Sequence, residues 1–486
     1  MQFENRNIGT IVREWAERAP DARSIEYQTE VFTRQDVQNS AAHLAQHFSQ
    51  LGVQRSGSVA LLVGNPVRGI ESMLALWSLG AAVLFLDARQ SDEEIDRAFQ
   101  TNGISIGFSD LPRFQKTAQF EALPPRQDDI VKREMLIFAD EAGELDALIL
   151  SSSGTTSLPR YRRVSHQAFV QQLNVAANLI GNPVPYPSLV YGSPAFGAVI
   201  GNWVRLLMHG TFALSLPMFL KTAELDRALR RSDVLAAGLP PVLIRALIEF
   251  HKSESPLAST PAYANLKRLI SVGGPISAND LQEAYALLSR GVRNIYSMTG
   301  VGAVSLLEGN DIPQRPNSVG KPLKGVKVRI VGASGETLPI GETGRIMARA
   351  TWKSGADEIE SGDIGRKDEQ GFLYVVGRSE QIATRNSVNV NLIDLETDVK
   401  KIDGVRDCIA FSKASENTAD DEIFLAVETS RPFTEMRNLV QRSAAVFRHP
   451  DYFLVSPLLP RNAANKLSLR ALKDEVTQKE TRFVAF

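Results

Sequence analysis

Leu148-Ile-Leu-Ser-Ser-Ser-Gly-Thr-Thr-Ser-Leu-Pro-Arg-Tyr-Arg-Arg-Val-Ser-His166 is the stretch from which the fold of this chain is read. The apolar run Ala147 to Leu150 predicts a buried strand. It empties into small residues, Ser151 to Thr155, that carry hydroxyls and expose backbone N–H groups. Gly154 permits a tight turn, the serines and threonines donate hydrogen bonds, and Arg160, Arg162 and Arg163 add positive charge just beyond. Together these are the parts of an anion cradle. A polar surface turn with solvated arginines has the same composition, so the surrounding chain must decide between the two.

Upstream, Ile8 to Arg18 has helical spacing, and Ser24 to Phe32 reads as a short hairpin. Thr33 is the expected N-cap of a helix over Arg34 to Gln50, which ends at Leu51-Gly52. Val59 to Val63 (strand), Val67 to Leu79 (helix) and Ala81 to Leu86 (strand) then give the rhythm of a parallel sheet covered by helices. Ser109 to Asp146 is polar and contains proline, and reads as a variable surface connection.

Downstream, a helix is expected over Gln167 to Ile180. A second βαβ rhythm runs through Val234 to Ala237, Pro240-Pro241 to Phe250, Leu266 to Val272 and a helix after Pro275. Ser318 to Pro322 and Val326 to Val331 look like parts of a small β-rich subdomain. Ser379 to Asn389 is polar and suits a hinge. Beyond it, Leu392 to Val399 and Thr434 to Phe447 read as helices, with Cys408 to Ser412 and Ile423 to Val427 as strands. The expected architecture is α/β. A large N-terminal domain (residues 1–377) has helix-covered βαβ-type sheets and the β-rich subdomain, a hinge spans 378–389, and a small mobile α+β domain covers 390–486.

Composition narrows the function classes. A chain of 486 residues that is 43% hydrophobic and 22% charged is long enough for two or three well-cored domains. Its formal net charge is −1 with no long basic run, so neither nucleic acid nor an anionic membrane is an expected partner. Cys408 is the single cysteine, which excludes an internal disulfide and fits a reducing compartment. The N-terminus lacks an apolar signal region, and no run of about 18 apolar residues occurs. A cytoplasmic protein is expected.

The loop resembles the phosphate loop of the adenylate-forming (ANL) superfamily, which comprises acyl-CoA synthetases, peptide-synthetase adenylation domains and luciferases. Ser152, Ser153, Gly154, Thr155, Thr156, Pro159 and His166 match its pattern, whereas Ser157, Arg160 and Tyr161 stand where the family has Gly, Lys and Gly. Further motifs follow in the family's order. Gly273-Gly274-Pro275 is similar to the strand-end turn beside adenine. Asn294-Ile-Tyr-Ser-Met-Thr-Gly300 resembles Tyr-Gly-x-Thr-Glu, after a strand and before an apolar segment. Ser361-Gly-Asp363 and Gly377-Arg378 resemble the ribose motifs, and Leu459-Pro-Arg-Asn-Ala-Ala-Asn-Lys466 the lysine motif.

The resemblance implies ATP and Mg²⁺, with coenzyme A or phosphopantetheine as acyl acceptor. It implies that the loop hydroxyls and Arg160 hold phosphates, Tyr296 stacks on adenine, and Asp363 and Arg378 hold the ribose. Lys466, Thr299 and His166 would form the catalytic set. No residue is assigned to metal binding, because Gly300 replaces the family's Glu; Glu308, eight residues on, is a candidate substitute. Asn386 replaces the hinge glycine and Asn465 the glycine before the lysine.

The resemblance implies that Phe196 and Gly197 fall in the substrate pocket, where the family often has Phe-His and peptide synthetases carry an Asp for the substrate amine. The implied substrate is therefore a small carboxylic acid without a recognised α-amine, and an acyl or peptidyl carrier protein is an implied partner. The implied reaction is activation of that acid to an acyl-adenylate and transfer to a thiol. Two alternatives stay open: a degenerate homologue that binds nucleotide or acyl-adenylate with little turnover, and an amide- or ester-forming ligase.

Overall fold

The computed structural model describes residues 5–114, 119–126, 136–140, 142–151, 161–179, 184–217, 220–254, 260–298, 301–332, 334–350, 358–378, 382–385, 388–415, 421–461, 467–477 and 481–486. They form two compact units. One holds the described residues within 1–153, 159–296 and 305–324, the other those within 297–304 and 325–486.

The first unit is built on two sheets. In the six-stranded sheet, Ser58–Leu62 lies between Ile106–Ser109 and Ala82–Phe85, and Asp146–Ser151 follows on the far side of Ala82–Phe85, all parallel. In the nine-stranded sheet, Arg23–Tyr27, Ala213–Ser215, Ser188–Val190, Ala236–Leu239, Arg268–Ser271 and Val292–Met298 run parallel in that spatial order. The helix Pro66–Ser78 packs against strands of both sheets. Every residue from Val67 to Ser78 is buried, and the two charges among them, Arg68 and Glu71, pair at 2.7 Å. Around it one core joins Ile8, Ile11, Phe48, Trp77, Phe169 and Trp203.

Local chemistry fixes the element ends. Thr33 Oγ1 accepts from Asp36 N–H and the Asp36 carboxylate accepts from Thr33 N–H, a reciprocal cap on Arg34–Gln50. That helix ends with Gly52 at φ +83 and Val53 N–H bonded to Phe48 O, a left-handed terminus that glycine makes without strain.

The structure differs from the sequence reading in several places. The helix Asp92–Asn102, with Ser91 and Glu94 forming a capping box, and the strand Tyr161–Ser165 were not expected. The 109–146 connection is not confined to the surface: Leu123, Leu136 and Phe138 are buried in the core, and Phe120–Ala122 extends the six-stranded sheet. Lys321–Pro322 pairs with Gly302–Leu307 in the nine-stranded sheet, so the β-rich subdomain begins at Val326 rather than at Ser318.

In the second unit, Val326–Val331, Gly344–Ala350, Ile359–Lys367 and Leu373–Arg378 form an antiparallel four-stranded sheet. The stretch read as a hinge holds Ile382–Arg385 paired with Val388–Asn391. A second four-stranded sheet contains Val405–Ala414, Asp421–Thr429 and Tyr452–Ser456, with the helices Leu392–Lys400 and Phe433–Ser443 on the chain around it. Among the described residues no helix is long and apolar enough to cross a membrane.

Candidate active site

In open parallel sheets, ligands bind beyond the carboxyl ends of the strands, and the sequence motifs of the first unit sit there. Ser271 is in register with Asn294, so two residues further on Gly273 and Tyr296 leave the same end of adjacent strands. Gly273 has φ +88, and no atom lies within 4 Å of the point a Cβ would take. Gly274 and Pro275 are exposed, and Tyr296 is half-buried. Tyr296 lies within the strand Val292–Met298, one step earlier in the topology than the sequence reading had it. Glycines that bare the backbone beside a half-buried aromatic ring fit the flat face of a nucleobase.

The quoted stretch is a hairpin. Asp146–Ser151 and Tyr161–Ser165 are antiparallel with Ser151 opposite Tyr161, and the connecting loop leaves the carboxyl end of its parallel strand. Ser152, Ser153, Gly154, Thr155, Thr156 and Arg160 lie outside the described residues, as do Thr299, Gly300, Asn386, Asn465 and Lys466. Arg163 donates to Asp146 (3.3 Å), Ser58 Oγ (2.7 Å) and Asn102 O (3.2 Å), and Arg162 to Gln172 (3.3 Å). Both side chains are engaged along the exposed face of the strand Tyr161–Ser165.

His166 closes the hairpin from inside the core. It is 1% exposed, its ring stands edge-on to Trp77 at 4.8 Å, and Nδ1 accepts from Ile8 N–H at 3.4 Å. Trp77 Nε1 in turn donates to Ala147 O at 2.8 Å, on the strand that leads into the loop. Burial pushes the imidazole pKa from 6.5 down to about 3, against a smaller upward pull from Asp140. The ring is therefore neutral at physiological pH and packs against the same Trp77 that bonds Ala147.

The acid-pocket candidates follow the strand Ser188–Val190. Phe196 is 42% exposed, and Gly197 opens the helix Gly197–Met208 with no atom within 4 Å of its Cβ position. One group here was missed in the sequence. Asp87-Ala-Arg89 follows the strand Ala82–Phe85 of the other sheet, and the Arg89 guanidinium sits 5.6 Å from the Phe196 ring centre. Arg89 donates to both Asp87 oxygens, at 2.7 and 2.9 Å. Burial raises the Asp87 pKa, but the Arg89 side chain and backbone N–H and the Ser193 hydroxyl outweigh it and hold the carboxyl below its usual range. The available signal was a charged pair placed immediately after a buried parallel strand.

Glu308 is not near the nucleotide end. It bonds Arg293 Nε at 2.7 Å, and Arg293 is paired with Ile270 toward the start of its strand. Three residues separate Arg293 from Tyr296, about 10 Å along a strand, so Glu308 does not stand in for the absent glutamate. Among the described residues no group of three or more His, Cys, Asp or Glu side chains can hold a metal ion. A Mg²⁺ that arrived with ATP would take much of its coordination from phosphate oxygens and water, so the lack of such a group among the described residues does not exclude one.

In the second unit, Asp363 and Arg378 are directly opposite one another across an antiparallel pair. Asp363 is half-buried, and its N–H donates to Ser361 Oγ at 2.9 Å through a turn in which Gly362 has φ +74. The base of the Lys466 loop is also defined: Arg461 bridges Leu467, and Ser468 N–H bonds Pro460 O at 2.8 Å. Glu428, 6% exposed, takes hydrogen bonds from Leu459 N–H (3.0 Å) and Arg461 (3.1 Å). This explains the arginine of the Leu459-Pro-Arg461 motif as a clamp on a buried carboxylate.

A family model described as AMP-binding enzyme matches residues 12–353, and the chain belongs to that family. Tyrocidine synthase 3 of Brevibacillus parabrevis is 22% identical over 521 residues, covering 98% of this chain and 8% of that protein. The chain spans about a fifth or less of the first curated relatives it matches, at 20%, 11% and 8% of their lengths. The 2-succinylbenzoate–CoA ligase of Lactococcus lactis subsp. lactis (strain IL1403) is 22% identical over 477 residues, covering 95% of this chain and 99% of the ligase. The structure of o-succinylbenzoate CoA synthetase from Bacillus subtilis with its acyl-adenylate intermediate superposes with a TM-score of 0.77 at 18% identity, covering 97% of this chain and 98% of that one. The ANL fold expected from the motifs is the fold of this chain.

Proposed function

We propose that this protein activates a small carboxylic acid with ATP and passes the acyl group to a thiol. The carboxylate attacks the α-phosphorus, the bond to the β-phosphate oxygen breaks, and acyl-adenylate and pyrophosphate form. The thiolate of coenzyme A or of a carrier protein's pantetheine then attacks the acyl carbon and AMP leaves. The observation that carries this reading is the register Ser271–Asn294, which sets Gly273-Gly274-Pro275 and Tyr296 side by side at the carboxyl ends of the sheet. The family match and the thiol-ligase relatives support it.

The residues act by position and charge. Tyr296 and the Gly273–Pro275 turn hold adenine, and Asp363 and Arg378 the ribose. Thr299 bonds the α-phosphate, while the loop hydroxyls and Arg160 hold the β- and γ-phosphates. Mg²⁺, when bound, screens the phosphate charge. Lys466 bridges the carboxylate and α-phosphate from the 390–486 domain, whose rotation about residues 378–389 exchanges it for the thiol. His166 positions the loop and transfers no proton.

A second reading, a nucleotide binder with little turnover, is favoured by Gly300 at the glutamate position and by the engagement of Glu308 with Arg293. ATP–pyrophosphate exchange over a panel of carboxylic acids separates the two. Acid-dependent exchange that falls roughly 10²–10³-fold in Lys466→Ala, with ATP affinity retained and transfer from a supplied acyl-adenylate much less affected, is the expected result. ATP binding with no exchange for any acid would establish the second reading.

A further inference from the structure

The turn beside the nucleobase has little rigidity of its own. Gly273 sits at φ +88 with open space around its Cβ position, and Gly273, Gly274 and Pro275 are all exposed. Consecutive glycines have the most backbone freedom to lose when a ligand fixes them. The neighbouring strand and helix hold this turn instead. Leu239 is in register with Ser271, and Val272 N–H donates to Leu239 O at 3.1 Å, which ties the root of the turn to the strand Ala236–Leu239. The helix that follows this strand, Pro241–Glu254, begins with its proline ring 3.8 Å from the Cβ position of Gly274.

The far end of the turn is tied to the same helix. Arg245 lies four residues beyond Pro241, on the same face, and donates to Asp280 Oδ2 through Nη2 at 2.7 Å and Nε at 3.1 Å. Asp280 belongs to the first turn of the helix Ala278–Glu283, where its N–H donates to the N-cap Ser277 Oγ at 3.0 Å. It is 7% exposed. Burial raises its pKa, but hydrogen bonds from Arg245 and Ser277 and the arginine charge outweigh this and hold the carboxyl below its usual range. The ion pair is therefore intact at neutral pH. A second pair, Lys252–Glu283 at 2.8 Å, joins the same stretches of chain but lies eleven residues beyond Pro241, about 16 Å along the helix.

We propose that Arg245 and Asp280 are positioning residues for an adenine nucleotide: their ion pair fixes the end of the Gly273–Pro275 segment against Pro241, so the turn is ordered before the ligand arrives. The inference rests on the nucleotide-binding part of the function proposed above. Both residues act through the turn. A turn that is already ordered spares the ligand the entropy of fixing it, so the effect falls on affinity for every ligand that carries adenine and not on the chemical step.

The test titrates the full chain with AMP and with ATP by calorimetry, as wild type, Arg245→Met, Asp280→Asn, the double variant and Lys252→Met. Each single change at Arg245 or Asp280 should weaken both nucleotides by about five- to tenfold, the low end of coupling between a remote group and a ligand. The double variant should be no weaker than the singles, because either change breaks the same pair. Lys252→Met removes an ion pair on the same helix away from the turn, and should bind both nucleotides as wild type does. In acid-dependent pyrophosphate release the KM for ATP should rise by the same factor, with kcat at saturating ATP and the KM for the acid unchanged. The Arg245 side chain is 57% exposed, so Arg245→Met leaves the core closed and carries the test should Asp280→Asn fail to fold.

Unchanged nucleotide affinity in Arg245→Met, an equal loss in Lys252→Met, or a fall in kcat with the KM for ATP unchanged would overturn the inference alone. Wild type that binds neither AMP nor ATP would refute the nucleotide reading and the inference with it. The expected pattern of affinities without pyrophosphate release for any acid would uphold the inference while refuting the enzymatic reading.

Discussion

Replacing His166 by phenylalanine makes the protein less stable at neutral pH and more stable in acid. The imidazole is buried against Trp77 and accepts one backbone hydrogen bond from Ile8 at 3.4 Å. Phenylalanine keeps the ring contact and loses the acceptor, which costs about 1 kcal/mol at pH 7.5. The opposing effect comes from protonation. Folded, the histidine resists its proton down to about pH 3; unfolded, it takes one at its ordinary value of 6.5. Between those limits the unfolded chain binds more protons, so wild-type stability falls as pH falls, by about 1.4 kcal/mol per pH unit, and the variant lacks this term.

The two stability curves should therefore cross near pH 6, and by pH 4.5 the variant should lead by about 1–2 kcal/mol, the roughly 2.7 kcal/mol of avoided protonation less the lost hydrogen bond. Urea unfolding of both proteins at several pH values reads this directly, and other titrating groups cancel in the difference. Pyrophosphate release between pH 6 and 8 should keep its profile. A constant stability difference across pH would show that the ring is not held neutral by burial. A loss of adenylation of about 10²-fold or more with stability intact would make His166 a participant in the chemistry, contrary to its placement here.

Asp363→Asn should weaken ATP binding by about 1.5–3 kcal/mol, the range for a hydrogen bond to a charged acceptor, with little change in unfolding temperature; unchanged affinity by calorimetry would make Asp363 a surface charge only. Gly300→Glu should lower the Mg²⁺ concentration needed for half-maximal pyrophosphate release, because the protein then supplies one of the one or two carboxylates such an ion usually takes. A wild-type protein already saturated at low Mg²⁺, with no gain in the variant, would show that the glutamate is dispensable in this chain.

The elements with a complete local signature were legible. Arg34–Gln50 has its cap, its apolar face and its terminal glycine in the sequence, and the structure has all of them. Tyr161–Ser165 was not legible because it is an outer strand with Arg162 and Arg163 exposed, so Val164 alone reports burial and no alternation exists to read. Asp92–Asn102 did carry its capping signal, Ser91 to Glu94, but it buries only Ile95, Ala98 and Phe99, too few to mark a period.

The site divides in the same way. Motif residues are local in sequence, so Gly273–Pro275, Tyr296 and Asp363 could be put forward as candidates. Whether a charge is free or matched depends on register and on chain segments far apart. Glu308 looked available from its spacing, yet it is tied to Arg293. The proximity of Arg89 to Phe196, which follows a strand of the other sheet, is likewise invisible in the sequence. His166 carries a motif match, and only the structure shows that it is buried against Trp77.

In the proposed reaction a carboxylate oxygen of the substrate attacks the α-phosphorus of ATP. The acid that gives the fastest exchange, prepared with heavy oxygen in both carboxyl positions, is incubated with ATP, Mg²⁺ and coenzyme A in ordinary water, and the products are examined by mass spectrometry. Attack at the α-phosphorus followed by thiol transfer leaves one labelled oxygen in AMP and the other in the thioester carbonyl, with none in pyrophosphate. Label in any phosphate other than that of AMP, or AMP free of label while thioester accumulates, would contradict the acyl-adenylate route.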